Sequence, residues 1–514
     1  MGAARLLMYE EEPWARWERR WRWQVPQWAR WRVIACAKRA AGLRPSAPAG
    51  TPLTAEGYHA GDDAVERFRA LLRVPTISRD DPALVDRTPF EAWVPTLREQ
   101  FPRVFEVCEL TMFDEFGLLM RWPGADATLD PIVLMAHQDV VPAEGQAWDH
   151  DPFAAEIHDG EIWARGSLDT KNIAAAIFES MNVLIGEGYV PPRDVWYFSS
   201  NGEEVAGPAA RQAVAWMREH GIHPYMVMDE GGAVAADAPL GVEEPVAMVG
   251  VSEKGHVDLK VTARADGGHA STPAENDAPR LLARVCEHIA ANPGKPEFTR
   301  ALDATLMELA SRSSTLYRMV FSNLWLTRPL VSKIMSSSPE MGAMIRTTYA
   351  LTQLQGSPAH NVLPTVATAN FNVRIAPFET VTDAINRARE RAEEACRACG
   401  VSPDHVTIEI EQAVPYTEPA PVSPFEDDPA FDYLHRCVAG VYPEAGFAPY
   451  VQNSCTDSRE FCEICERVYR FGGFIYSGEA RSLLHTANER IGVDVYKRGI
   501  EFYMAFLRNL DELR

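Results

Sequence analysis

Two histidines and five carboxylates of this chain stand where they could hold metal ions. The stretch IVLMAHQDVVP (132–142) runs four apolar residues, Ile132 to Met135, straight into His137 and Asp139. Asp169 lies in RGSLDTKN, Glu203 and Glu204 in SSNGEEVAG, Asp229 in VMDEGG and His485 in LLHTANERI. Imidazole nitrogens together with several carboxylate oxygens form a donor set suited to a pair of Zn²⁺ ions. A lone strand-end aspartate is also a common helix cap, and a lone histidine is commonly a polar loop residue. Residue types alone leave both readings open; their joint placement favours the metal.

The elements around these residues are legible from periodicity. PIVLMA, VWYFSS and YMVMD are short apolar runs with polar ends, and between them lie the helical patterns KNIAAAIFESMNVLIGEG and PAARQAVAWMREHG. This alternation predicts an α/β fold with a mostly parallel sheet flanked by helices. Such sheets carry ligand sites at the carboxyl ends of their strands, where His137, Glu203/Glu204 and Asp229 fall. After about residue 250 the pattern changes to strict alternation: Val257, Leu259 and Val261, then Phe371, Val373 and Ile375, then Val406, Ile408 and Ile410. With helical stretches near 277–292 and 382–399, this predicts a smaller α+β module whose sheet is covered on one face. It carries a helical insertion near 297–350. The chain then returns to α/β character and ends in a helix.

Composition sets the frame. The 514 residues, 46% hydrophobic and 24% charged, are those of a soluble globular protein of more than one domain. No apolar run of about 18 residues predicts a membrane span. The net charge of −22 argues against nucleic acid as a partner. Residues 1–50 hold ten Lys or Arg against four Glu, a net +6, which leaves −28 for the rest. Six tryptophans lie between Trp14 and Trp31. This Trp/Arg arm could lie on an anionic membrane surface, but reads more readily as an appendage without chemistry; LRPSAPAGTPL (43–53) reads as a linker. The cysteine pairs Cys396/Cys399 and Cys462/Cys465 are too far apart in sequence for a zinc ribbon. Nine cysteines, an odd number, without a secretory signal predict reduced thiols and a cytoplasmic protein.

HQDVVP, WARGSLDTKN, GEEVAG, MDEGG, GGHASTP, NVLP…NVRI, TDSREF and HTANERI follow one another in the order of the dizinc metallopeptidase family twenty. That family contains carboxypeptidase S, aminoacylase-1 and glutamate carboxypeptidase. The resemblance spans roughly residues 60–514. The insertion with NLWL and RTTYALT resembles most the carboxypeptidase S and N-fatty-acyl-amino-acid hydrolase branch. The arm and linker over 1–54 have no counterpart in that family; for the rest the resemblance implies a catalytic domain over 55–250 and 416–514, and a lid or dimerisation domain over 251–415. It implies two Zn²⁺ per chain, with Co²⁺ or Mn²⁺ as substitutes. His137 and Asp229 would complete one site, Glu204 and His485 the other, and Asp169 would bridge them. Asp139 would orient His137 through a hydrogen bond.

The resemblance further implies that Glu203 is the general base, acting on a metal-bridged water that attacks an amide. His269 would help hold the oxyanion, in relatives often from a second subunit, so a homodimer is a natural assembly. Asn361 and Arg374 match the residues that grip a substrate carboxylate. The implied activity is hydrolysis of the amide next to a free carboxylate in small peptides or N-acyl amino acids. Two alternatives stand beside it: a deacylase of N-succinyl or N-acetyl amino-acid biosynthetic intermediates, and a non-catalytic scaffold. Three positions depart from the family pattern: Gly202 where Asp is common, Cys455 where Gly is usual, and Thr170 after the bridging aspartate. None removes a ligand or the base.

Overall fold

The computed structural model describes residues 36–411 and 416–513; the Trp/Arg arm up to residue 35 lies outside them. A ten-stranded sheet forms the larger layer. At its centre Ile132–Met135 runs parallel to Val195–Ser199 on one side and Met226–Asp229 on the other, and Val468–Arg470 continues parallel beyond. Glu109–Phe113 and Gly117–Trp122 add an antiparallel edge. On the other side Val246–Glu253 pairs in parallel with Gly446–Gln452. The sheet is therefore mixed, mostly parallel, and flanked by helices.

The helix Lys171–Gly186 is buried along nearly its whole length. It lies between the sheet and the helix Val493–Arg508, so it is apolar on both faces rather than along one stripe. Ile173, Ile177, Phe178, Met181 and Leu184 are all at most 4% exposed, each contributing about 1.5–3 kcal/mol relative to solvent. This makes the start of that helix, two residues after Asp169, a rigid platform. The opposite face of the sheet is covered by Ala209–Glu219, through Ala213, Val214 and Met217.

The second sheet has four antiparallel strands, in the order Thr348–Gln355, Val366–Ile375, Gly255–Arg264, Val406–Ile410. Its core is one-sided. Phe371, Val373 and Ile375 pack under helices Ala278–Ala291 and Val381–Ala398, and the alternate residues Asn370, Asn372 and Arg374 face away. Both helices begin where the sequence supplies a cap: Asp277 accepts from the Arg280 N–H, and Thr380 and Asp383 form a reciprocal box. The insertion folds as Arg300–Arg312, Thr315–Phe321, Leu324–Met335 and Pro339–Ala343. Its first helix docks on the larger sheet, where the Thr305 hydroxyl donates to the carbonyl of Pro449. The stretch read as a linker has no regular element, yet it is tied down: Leu53 N–H donates to Arg436 O, and Ser46 N–H to Glu308.

Candidate functional site

Three central parallel strands end in acidic or imidazole side chains, and two loops from elsewhere close over them. His137 lies two residues beyond Ile132–Met135. Its loop is pinned to the start of the Lys171 helix: His137 N–H donates to the Thr170 hydroxyl, which donates to the His137 carbonyl. Asp169, just before that helix, sits at its positive end. Its two oxygens face different imidazoles, Oδ1 at 3.0 Å from His137 Nε2 and Oδ2 at 3.0 Å from His485 Nε2. His485 also lies 3.2 Å from Glu204 Oε2. The buried pair Arg165–Glu489 clamps the two loops together: Glu489 accepts from Arg165 at 2.6 Å and from the N–H groups of Gly166 and Leu168. His485 itself sits at φ 61°, an uncommon conformation for a non-glycine residue.

Glu203 and Glu204 open a short 3₁₀ turn, Glu203–Val205. Both their N–H groups point at Asp139, which is fully buried and accepts one on each oxygen, at 3.1 and 3.2 Å. Asp139 also stands beside His137, where the sequence placed it. The hydrogen-bond partner of His137 Nδ1 is the Asp139 backbone carbonyl at 2.9 Å, while the carboxylate stands 3.5 Å away. The carboxylate mainly caps the Glu203–Glu204 turn.

Within this cluster two triads of donor atoms have all members within 4.8 Å of one another: His137 with Asp169 and Glu204, and His137 with Glu203 and Glu230. Asp229, expected there, is in neither triad, though it is buried beside His137. Its Oδ1 accepts from the Glu230 N–H and its Oδ2 from the Ser458 N–H. Glu230 lies 4.0 Å from His137 Nε2. The signal was present in VMDEGG, but the local sequence does not say which of two adjacent acids a distant backbone N–H will claim.

The electrostatics of this cluster are those of a cation site. Asp139, Asp169, Glu203, Glu204, Asp229, Glu230 and Asp457 crowd around His137 and His485. Burial, then the charges of Asp169 and Glu203, push Glu230 well above the usual carboxylate range. Burial, then Asp457 and Glu204, do the same to Glu203. Asp457 is pushed up to about 7, mainly by burial. Hydrogen bonds to Asp169 and Glu204 raise His485 to about 10. For His137, burial opposes the proton, but Asp139 and Asp169 outweigh it and hold the ring well above its ordinary value. Protons on two imidazoles thus partly fill a demand for positive charge that divalent cations would fill better. The oxygen-rich set with two imidazoles fits such ions.

A positive corner adjoins the acidic cluster. Arg374 donates to Asn372 Oδ1 and contacts Cys455 Sγ at 3.3 Å. Lys254 is buried and pulled down to about 7, first by burial and then by the Arg374 cation. Arg459, which sequence reasoning passed over although it stands inside TDSREF, is half-buried beside Cys455, Glu253, Glu203 and Asp457. Its guanidinium makes no hydrogen bond or ion pair among the described residues. His269 and Asn361 are not brought here. Both are exposed on the small ribbon of Gly268–His269 and Val362–Leu363, where Ala270 N–H donates to the Asn361 carbonyl and His269 Nδ1 meets the Ser271 hydroxyl at 2.8 Å.

The sequence profile of peptidase family M20/M25/M40 matches residues 133–509. A probable carboxypeptidase S-like 2 of Dictyostelium discoideum is 31% identical over 421 residues, covering 81% of this chain and 78% of the relative. The N-fatty-acyl-amino acid synthase/hydrolase PM20D1 of Homo sapiens is 30% identical over 452 residues, covering 87% of each chain. Among solved structures, the M20 family metallo-carboxypeptidase Sso-CP2 of Sulfolobus solfataricus superposes with a TM-score of 0.64 at 16% identity, covering 88% of this chain and 99% of that one. Human carnosine dipeptidase 1 gives 0.61 at 15%, covering 88% and 97%. The last two show the shared fold.

Proposed function

The chain belongs to peptidase family M20/M25/M40 and is a hydrolytic peptidase or amidase, and from that premise we propose that it cleaves the amide bond next to a free carboxylate in a small peptide or N-acyl amino acid. The observation that carries this reading is the juxtaposition of the acidic cluster with the positive corner of Arg374, Lys254 and Arg459. One end is built for cations, and the other offers guanidinium donors suited to a carboxylate. The names of two relatives, a probable carboxypeptidase S-like 2 and an N-fatty-acyl-amino acid synthase/hydrolase, support this class.

His137, Asp169, Glu204, Glu230 and His485 would hold two divalent cations, Zn²⁺ first among them. Bound there, such ions supply Lewis acidity for the scissile carbonyl and make water a better nucleophile at neutral pH. The remaining steps belong to the chain. Glu203, buried beside the imidazoles, takes a proton from water as it attacks and returns it to the leaving amine. Asp139 holds the turn that aims Glu203 and Glu204. Arg374, seated by Asn372, and Arg459 orient the substrate carboxylate. His269 would have to arrive by closure of the smaller sheet or from a second copy of the chain.

The test is a kcat/KM comparison of free-acid and carboxamide forms of N-acyl amino acids and dipeptides, with wild type and Arg374→Ala. The free acid is preferred by wild type, and Arg374→Ala lowers kcat/KM by an amount equivalent to about 2–5 kcal/mol. The two losses do not add, because both remove one contact. Equal cleavage of acid and amide by wild type overturns the substrate class.

A further inference from the structure

We propose that the protein binds one further transition-metal ion at a surface site made by His150, Glu156 and His158. None of these residues belongs to the cluster described above. The strands Glu156–His158 and Glu161–Trp163 form a hairpin closed by Asp159 and Gly160, whose φ values of 50° and 81° match the tight turn favoured for two-residue hairpin loops. That turn fixes the register, with Glu156 opposite Trp163 and His158 opposite Glu161. Two residues apart on one strand, Glu156 and His158 share a face. His150 comes from the preceding loop and lays its ring on that of His158, centroids 3.7 Å apart and planes within 13°. Both rings stand edge-on to Trp163, which Arg490 covers from beyond.

The nitrogens converge on one oxygen. His158 Nε2 is 2.8 Å from Glu156 Oε2, and His150 Nδ1 is 3.7 Å from the same atom. A hydrogen bond satisfies the first ring and leaves the second out of reach. A single cation satisfies all three. Ligand atoms held at about 2.0–2.1 Å in tetrahedral geometry lie about 3.3 Å from each other, and 2.8 and 3.7 Å bracket that spacing. Each ring nitrogen's lone pair lies in its own ring plane, so the two stacked rings must open about the ion, and side chains that are 30%, 51% and 39% exposed leave room for it. The same exposure leaves an open side for a water ligand. Two imidazoles and one carboxylate select Zn²⁺ or Cu²⁺ over Mg²⁺ and Ca²⁺, which take oxygen ligands. The bound ion would staple the His150 loop to a hairpin whose second strand, Glu161–Trp163, pairs with Arg490–Gly492, directly after the Glu489 clamp.

The experiment uses the full chain with its high-affinity metals already loaded. Cu²⁺ is titrated against wild type, His158→Ala, His150→Ala and Glu156→Gln by calorimetry, with electron paramagnetic resonance of the bound Cu²⁺. Wild type takes up one additional ion whose spectrum carries coupling to two nitrogens. Either alanine variant weakens that uptake by at least tenfold and removes one nitrogen from the coupling pattern, while Glu156→Gln weakens uptake and keeps both nitrogens. Unchanged turnover in all three shows that they remain folded. No additional ion in wild type, or an additional ion bound equally by the alanine variants, overturns the proposal.

Discussion

Replacing Asp139 separates two roles that a buried carboxylate behind a metal-site histidine could have. Its oxygens accept the N–H groups of Glu203 and Glu204, and its carboxylate stands 3.5 Å from His137 Nδ1, which is already satisfied by a backbone carbonyl. Asp139→Ala therefore leaves two buried N–H groups without partners, at about 1–3 kcal/mol each, or about 2–6 kcal/mol together. Asp139→Asn keeps the shape, but its NH₂ must face one of those donors, so its cost is nearer the loss of one bond, about 1–3 kcal/mol. Both variants misplace Glu204 and Glu203 while leaving the His137 backbone contact intact. Metal affinity should fall by about 10–100-fold, the usual effect of losing a group that orients ligands. The assay is chemical denaturation of the metal-free proteins alongside Zn²⁺ competition with a chromophoric chelator. The expected order of stability is wild type, Asp139→Asn, Asp139→Ala. Wild-type stability and metal affinity in Asp139→Ala would refute the reasoning.

Glu203→Gln should keep its metals by elemental analysis and lose about 10²–10⁴-fold in kcat; loss of metal instead would make Glu203 a ligand. Glu230→Gln should weaken Zn²⁺ binding in a chelator competition, whereas Asp229→Asn should keep the metal and lose stability, because Asp229 serves the Ser458 N–H. In the metal-free protein, His485 is raised from its ordinary 6.5 to about 10, and His137, Glu203 and Glu230 are raised as well. A raised group contributes stability that is present below its unfolded pKa and lost as pH passes its folded pKa. Melting temperature of the metal-free protein should thus decline between about pH 6.5 and 10, and Zn²⁺, which needs deprotonated imidazoles, should flatten that decline. A rising curve in the metal-free protein would contradict the charge layout.

The strand that delivers His137 was legible because four apolar residues ending in a polar pair have few alternatives in an α/β pattern. The Val366–Ile375 strand was legible because its alternation is unbroken. What escaped depends on partners distant in sequence. Asp229 and Glu230 are adjacent acids, and the Ser458 N–H that meets Asp229 Oδ2 stands 229 residues on. Asp139 was read as a partner for His137; that its oxygens also accept from the turn at Glu203, 64 residues later, was not legible. Arg459 was inside a quoted motif, yet only packing beside Cys455 and Glu203 brings it to the site. His269 illustrates the reverse: a residue assigned by resemblance whose reach depends on an assembly or closure that local sequence does not encode.

The most direct test of the account is turnover of an N-acyl amino acid by metal-stripped protein as Zn²⁺ is returned, with His150→Ala and His158→Ala present so that the surface donors take no share. Turnover should start near zero and saturate at two equivalents per chain, and the same titration with Glu203→Gln should bind both equivalents and stay inactive. Full turnover without metal, or an active Glu203→Gln protein, would contradict it.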